Sequence, residues 1–163
     1  MARRAFFSFH YDADAWRASQ VRNIGAIDGN KPATDNDWES VKRGGKPAIQ
    51  RWIDGQLQGR SCTVVLIGAQ TAKRFWVDYE IEKSWNDGKG VLGVYIHRLK
   101  DSRGNQSYKG ENPFAHFSMK DGSSLAKYVS VYDPPYADSS DTYRYIANNL
   151  ATWIDTAISA RSV

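Results

Sequence analysis

The order of apolar and polar positions divides the chain into alternating strands and helices. Ala5 to Phe9 is a short apolar-aromatic run and predicts a first strand. A helix is expected from about Ala13 to Asn23, with Asp12 or Asp14 placed to cap it. Ile24 to Ile27 reads as a short second strand. Asp28 to Gly45 is rich in Gly, Asn, Asp and Lys and predicts a long loop, the kind of segment that often carries function. Pro47 suits the first turn of a further helix, in which Ile49, Trp52, Ile53 and Leu57 recur at helical spacing and which Gly59 ends. Ser61 to Gly68 is apolar and β-branched, the pattern of a strand buried on both faces of a parallel sheet. A helix from about Ala72 to Asn86 follows, closed by Asp87-Gly88, and then another buried strand, Gly90 to Leu99. Tyr128 to Tyr132 predicts a last strand. Tyr143, Ile146, Leu150, Trp153, Ile154, Ala157 and Ile158 mark a long amphipathic C-terminal helix.

This alternation defines an α/β chain: a mainly parallel five-stranded sheet between two helical layers, with the flavodoxin-like strand order 2-1-3-4-5. Residues 1–163 are read as one domain with an irregular excursion at about 100–127, which carries Phe114, His116 and Phe117. In such sheets ligands bind beyond the carboxyl ends of the strands. The loops after Phe9, Ile67 and Leu99 are therefore the places to look.

Composition narrows the picture. Hydrophobic residues at 41% and charged residues at 25% fit a folded soluble chain and exclude intrinsic disorder. Aromatics reach 13%, so some rings face a ligand or else enlarge the core. Cys62 is the single cysteine, which rules out an intramolecular disulfide and fits a reducing cytosol. No apolar run approaches the roughly 20 residues that span a bilayer. Ser8 and His10 break the apolar stretch behind Arg3-Arg4, against a signal peptide, so a cytoplasmic location without membrane contact is expected. The net charge of +4 favours a phosphorylated ligand, but Lys and Arg are scattered and mark no nucleic-acid surface.

Several chemistries lack their motifs. There is no Gly-x-Gly-x-x-Gly after the first strand, no Walker A sequence, no His-Glu-x-x-His, no Gly-x-Ser-x-Gly and no Cys-x-x-Cys. His10 and His97 both end predicted strands and can approach each other, yet a hydrogen-bonded loop histidine is the simpler state of each, and no metal is assigned. Ile67-Gly68-Ala69 stands where a phospho-receiver domain needs an acidic residue, which rejects that reading.

The most informative segment is Arg74 to Trp85. Trp76 and Glu80 share a helix face. Glu80 and Glu82 lie about 200° apart and cannot face one pocket. Val77, Ile81 and Trp85, with Ser84, form the stripe expected on the sheet, and Glu80 lies beside it, toward the strand ends. Composition alone reads Glu80 as a solvated surface carboxylate.

Trp76-Val77-Asp78-Tyr79-Glu80-Ile81 resembles the Trp-x-x-x-Glu-hydrophobic motif of TIR domains. Phe6-Phe7-Ser8-Phe9-His10-Tyr11-Asp12, Trp16-Arg17, Gln20-Val21-Arg22-Asn23, Ile49-Gln50-Arg51-Trp52-Ile53-Asp54, Thr63 to Gly68 and Gly93 to His97 extend the resemblance, which is closest to the TIR-like proteins of the bacterial Thoeris anti-phage defence system. It covers about residues 3 to 100 and weakens over 101 to 140. It implies a TIR-like fold and cleavage of NAD as substrate, with no separate cofactor. Nicotinamide is released and a cyclic ADP-ribose-type signal activates a separate effector protein; self-association is also implied. Glu80 takes the catalytic role by this resemblance. Phe9, Tyr11 and Trp76 become candidates to stack the bases, each with a rival role as core or rim packing. His10 and Asp12 become candidates for ribose or phosphate, with helix capping as the other reading of Asp12. Arg17 and Arg22 face phosphate or else an exposed helix surface, and Asn36 and Trp38 are further candidates in the long loop. Two other readings stay open: a non-enzymatic TIR-like interaction module, and another N-glycosidic enzyme such as a nucleoside deoxyribosyltransferase. A flavin carrier is disfavoured, because Ser8 stands without the run of hydroxyls that cradles a phosphate.

Overall fold

A computed structural model of the chain describes residues 3–25, 27–29 and 41–161. In chain order the elements are β1 Arg3–Ser8, α1 Tyr11–Arg22, β2 Ile27–Gly29, α2 Gly45–Leu57, β3 Cys62–Ile67, α3 Phe75–Asn86, β4 Gly90–Tyr95, β5 Ser130–Tyr132 and α4 Ser139–Arg161. The strands lie in the order β2-β1-β3-β4-β5. Every pairing between named strands is parallel. Three six-residue strands form the centre and two three-residue strands the edges. The expected order therefore holds, and the switch in winding direction falls between β1 and β3.

Side-chain alternation on β1 sets the layers. Ala5 and Phe7 face α1 and α4, and pack with Val64, Leu66, Leu92, Val94, Ile146 and Leu150. Phe6 faces the other way, into a small cluster with Ile49, Ile53 and Leu57 of α2, against which Trp76 and Tyr79 of α3 lean. Val77 and Ile81 of α3 meet Val65, Ile67 and Val91 on the same side. All six residues of β3 and all six of β4 are buried, as the unbroken apolar runs require. Cys62 is fully buried at the start of β3, and burial pushes its thiol up to about 12.

Several element bounds differ from expectation. The first helix starts at Tyr11 rather than near Ala13. Its N-cap residue is His10 and no side chain caps it, so Asp12 and Asp14 both fall inside the first turn. The second strand begins at Ile27, while Ile24 belongs to the core. α3 begins at Phe75 instead of Ala72, because Lys73 adopts φ +67° and Arg74 is extended (φ −74°, ψ 132°). β4 ends at Tyr95. Most of the predicted long loop, including Asn36 and Trp38, lies outside the described residues.

Residues 100–127 follow β4 as turns, one isolated bridge between Ser118 and Ser124, and a short 3-10 turn at Leu125–Lys127. Phe114 is fully buried and joins the cluster around Val77 and Ile81. Gly93 makes room for it: a Cβ there would lie 2.9 Å from the Phe114 ring and 2.8 Å from Ile67. Among the described residues no helix is long and apolar enough to cross a membrane.

Candidate active site

Glu80 is buried, with 7% of its surface exposed. α3 carries it against the carboxyl end of β1, where the Ser8 hydroxyl donates to Glu80 Oε1 at 2.6 Å. The strand explains the partner. Ser8 lies two residues beyond Phe6 and so points to the same face, and it is the one hydroxyl in an aromatic strand. The helix explains the acid. Val77, Ile81 and Ser84 turn toward the sheet, and Glu80 shares their side. One turn further along, Ser84 Oγ and Thr63 Oγ1 lie 2.7 Å apart, so each buried polar group on this face of α3 has a partner on the sheet.

Removal from water pushes the Glu80 carboxyl up to about 8, although the Ser8 hydrogen bond favours its ionised form and opposes the shift. Among the described residues no cation pairs with it. A carboxylate here is a charge awaiting a positive partner.

The neighbouring loops are held by local bonds. The Gly68 N–H donates to Thr71 Oγ1 at 2.8 Å, and the Arg74 guanidinium turns back to the Gln70 carbonyl at 3.0 Å. The Tyr79 hydroxyl donates to Asp54 Oδ1 at 2.6 Å and fixes α3 on α2. His116 Nε2 and Asp78 Oδ2, 3.0 Å apart, tie the excursion to the first turn of α3.

The other sequence candidates separate. His10 stands at the start of α1; burial and then the charge of Arg74 hold its pKa below the ordinary value. Asp12 is exposed beside it, with Lys42 Nζ at 3.6 Å, and caps nothing. Trp76 is half-buried on the α2 side of α3, edge-on to Phe75 and Tyr79. Phe9 goes elsewhere. Its ring packs on the α1–α4 layer, with Tyr11 at 6.3 Å and the Arg22 guanidinium at 5.0 Å. It follows Ser8 by one residue, so alternation sends it to the opposite side of the sheet.

Arg17 is neither exposed nor open to phosphate. It is 5% exposed, with Nε donating to the Leu99 carbonyl at 2.7 Å, Nη2 to the Asn105 carbonyl at 2.8 Å and Nη1 to Asp14 Oδ1 at 3.1 Å. Sequence reading missed Ser8 as the partner of Glu80, and Asp14 as the buried partner of Arg17. Period-two alternation from Phe6 carried a signal for the first. Among the described residues no three His, Cys, Asp or Glu side chains gather to hold a metal ion.

A parallel α/β sheet with a buried acid on the helix after β3, bonded to the end of β1, defines a flavodoxin-like protein that sets this acid at the winding switch. Comparison with known proteins refines that class. Residues 6–101 match the family model described as Thoeris protein ThsB, TIR-like domain. The chain belongs to this family. It is also 41% identical over 159 residues, spanning 93% of this chain and 82% of the relative, to a Bacillus cereus (strain MSX-D12) protein named "Putative cyclic ADP-D-ribose synthase ThsB1". Glu80 and Ser8 both lie inside the matched segment.

Proposed function

We propose that this protein cleaves the nicotinamide–ribose bond of NAD and closes the remaining ADP-ribose on itself. The cyclic product then serves as the diffusible signal that activates a separate effector protein in anti-phage defence. The carrying observation is Glu80, buried and held at one oxygen by Ser8. The name of the Bacillus cereus relative supports the same reading.

The chemistry follows from charge. As the C1′–N bond breaks, its electron pair leaves with nicotinamide, which departs neutral and needs no acid. Positive charge builds on C1′ and the ring oxygen, as in glycoside hydrolysis. Glu80 is the carboxylate assigned to stabilise that charge, and its dry setting supports the assignment because attraction is stronger there. Ser8 occupies Oε1 and leaves Oε2 for the ribose. A nucleophile from the same molecule, a ring nitrogen or a ribose hydroxyl, then forms the new bond to C1′, and one proton is released. The balance is NAD⁺ to nicotinamide, cyclic product and H⁺. The pyridinium cation of bound NAD is the positive partner that the carboxyl lacks, so substrate binding favours its ionisation. Trp76, Tyr11, His10 and Asp12 remain candidates for holding the rest of the dinucleotide; Phe9 is assigned to packing.

Glu80→Gln keeps the size of the side chain and an acceptor for Ser8 but removes the charge. Nicotinamide release from NAD is expected to fall by roughly 100-fold or more. In the unaltered protein kcat/KM should climb with pH toward about 8, where the free carboxyl ionises. Asp87→Asn, at the exposed end of the same helix, is the control. Turnover by Glu80→Gln at the unaltered rate would remove the assignment.

A further inference from the structure

We propose that the cleft between the second half of α3 and the 117–128 stretch of the excursion binds a small organic cation with a ring-sized apolar body. The cleft has a volume of about 610 Å³. That lies within the 300–1,000 Å³ or so typical of small-molecule sites. It opens on a different side of α3 from the Glu80 carboxyl, because Glu80 faces β1 while Glu82, about 200° around the helix, lines this cleft.

Three aromatic side chains from separate segments line it: Trp85 of α3, Phe117, and Tyr128 after the 3-10 turn. Met119 adds a soft, adaptable wall. Ring faces are electron-rich and attract cations, and several rings around one space select an alkylated ammonium or a pyridinium-like group. The Arg161 guanidinium stacks 3.6 Å from the Trp85 ring and donates to the Trp85 carbonyl at 2.9 Å, which fixes that ring at the cleft wall. Tyr128 is 47% exposed, with the Lys127 ammonium 5.8 Å from its ring centroid, so the chain's own cations already sit by two of the three rings.

The chain carries a net +4; the residues lining this cleft include two carboxylates, Glu82 and Asp121, and one ammonium, Lys120, while Lys127 and Arg161 hold their charges over the Tyr128 and Trp85 rings. Glu82 is exposed and its side chain makes no hydrogen bond or ion pair with any other described residue, so its carboxylate can meet an incoming cation. Asp121 is already fixed, its Oδ1 accepting the Ser123 N–H at 2.9 Å, and contributes field rather than contact. An apolar floor with a carboxylate at the rim suits a molecule that is greasy at one end and positive at the other.

Benzyltrimethylammonium is the probe, with benzylphosphonate as its anionic counterpart, titrated by calorimetry into the whole chain. Saturable binding of the cation is expected, with the anion at least about tenfold weaker. Glu82→Gln and Phe117→Leu should each weaken cation binding by about threefold to tenfold while leaving the melting temperature near that of the unaltered protein. Glu80→Gln should bind the probe normally, which separates this cleft from the proposed catalytic site. Absence of saturable binding, equal affinity for both probes, or loss of binding in Glu80→Gln but not in Glu82→Gln would each overturn the proposal.

Discussion

Glu80 is costly where it stands. A carboxyl with one hydroxyl donor and no cation among the described residues resists ionisation, and its value of about 8 against an ordinary 4.5 expresses that resistance. The shift is upward in an acid, so the stability it contributes is whole below about pH 4.5. It drains away as pH rises to about 8, because the unfolded chain sheds this proton first. Glu80→Gln escapes the drain. It should unfold in urea like the unaltered protein at pH 5 and be more stable by about 2–4 kcal/mol at pH 9. A variant no more stable at pH 9 would mean that Glu80 ionises freely in the fold. The residue proposed for the chemistry is thus one that the fold would do better without. Ser8 belongs to the same scale: its hydroxyl offsets part of the cost and selects which oxygen remains open.

At the scale of elements, β3, β4, α2 and α4 were legible because their patterns are long and regular. The helix starts were not. Arg74 and Lys73 look helical by composition, and only the left-handed backbone at Lys73 delays α3 to Phe75. His10 took the capping position expected of an aspartate; Asp14 pairs with Arg17 at a local i,i+3 spacing, but the burial of the pair depends on the distant carbonyls of Leu99 and Asn105, which no local pattern encodes. Burial of Glu80 was legible only through the resemblance to TIR domains, since composition favours a solvated carboxylate. The excursion has no period to read, because it is held by single side chains rather than by a stripe. Phe114 is the main one. Phe114→Ala would empty the space above Gly93 and should cost about 3–5 kcal/mol, measured by chemical denaturation. Amide exchange across 107–125 should rise with it. Little change in either would show that the His116–Asp78 link, and not the ring, anchors this segment.

Across the whole molecule, the loops at the carboxyl ends of the strands are joined through Arg17. From α1 it reaches the carbonyls of Leu99 and Asn105 beyond β4, while Gln20 adds a bond to the Lys100 carbonyl at 2.9 Å. Asp14 beside it is 1% exposed, and burial holds its pKa above the ordinary value against the pull of Arg17. Removing one member of such a pair costs more than removing both. Arg17→Met should destabilise by about 3–5 kcal/mol, and adding Asp14→Asn should restore part of that loss; a double variant no better than the single would show that the carbonyl bonds, not the charge pair, carry the effect. The sole cysteine of the chain, closed within the sheet with its thiol held at about 12, will stay silent to maleimides and mild oxidants at neutral pH. Any cysteine engineered onto the surface will therefore be the only one to take a dye or spin label, and distances across the molecule can be followed without first replacing a native residue.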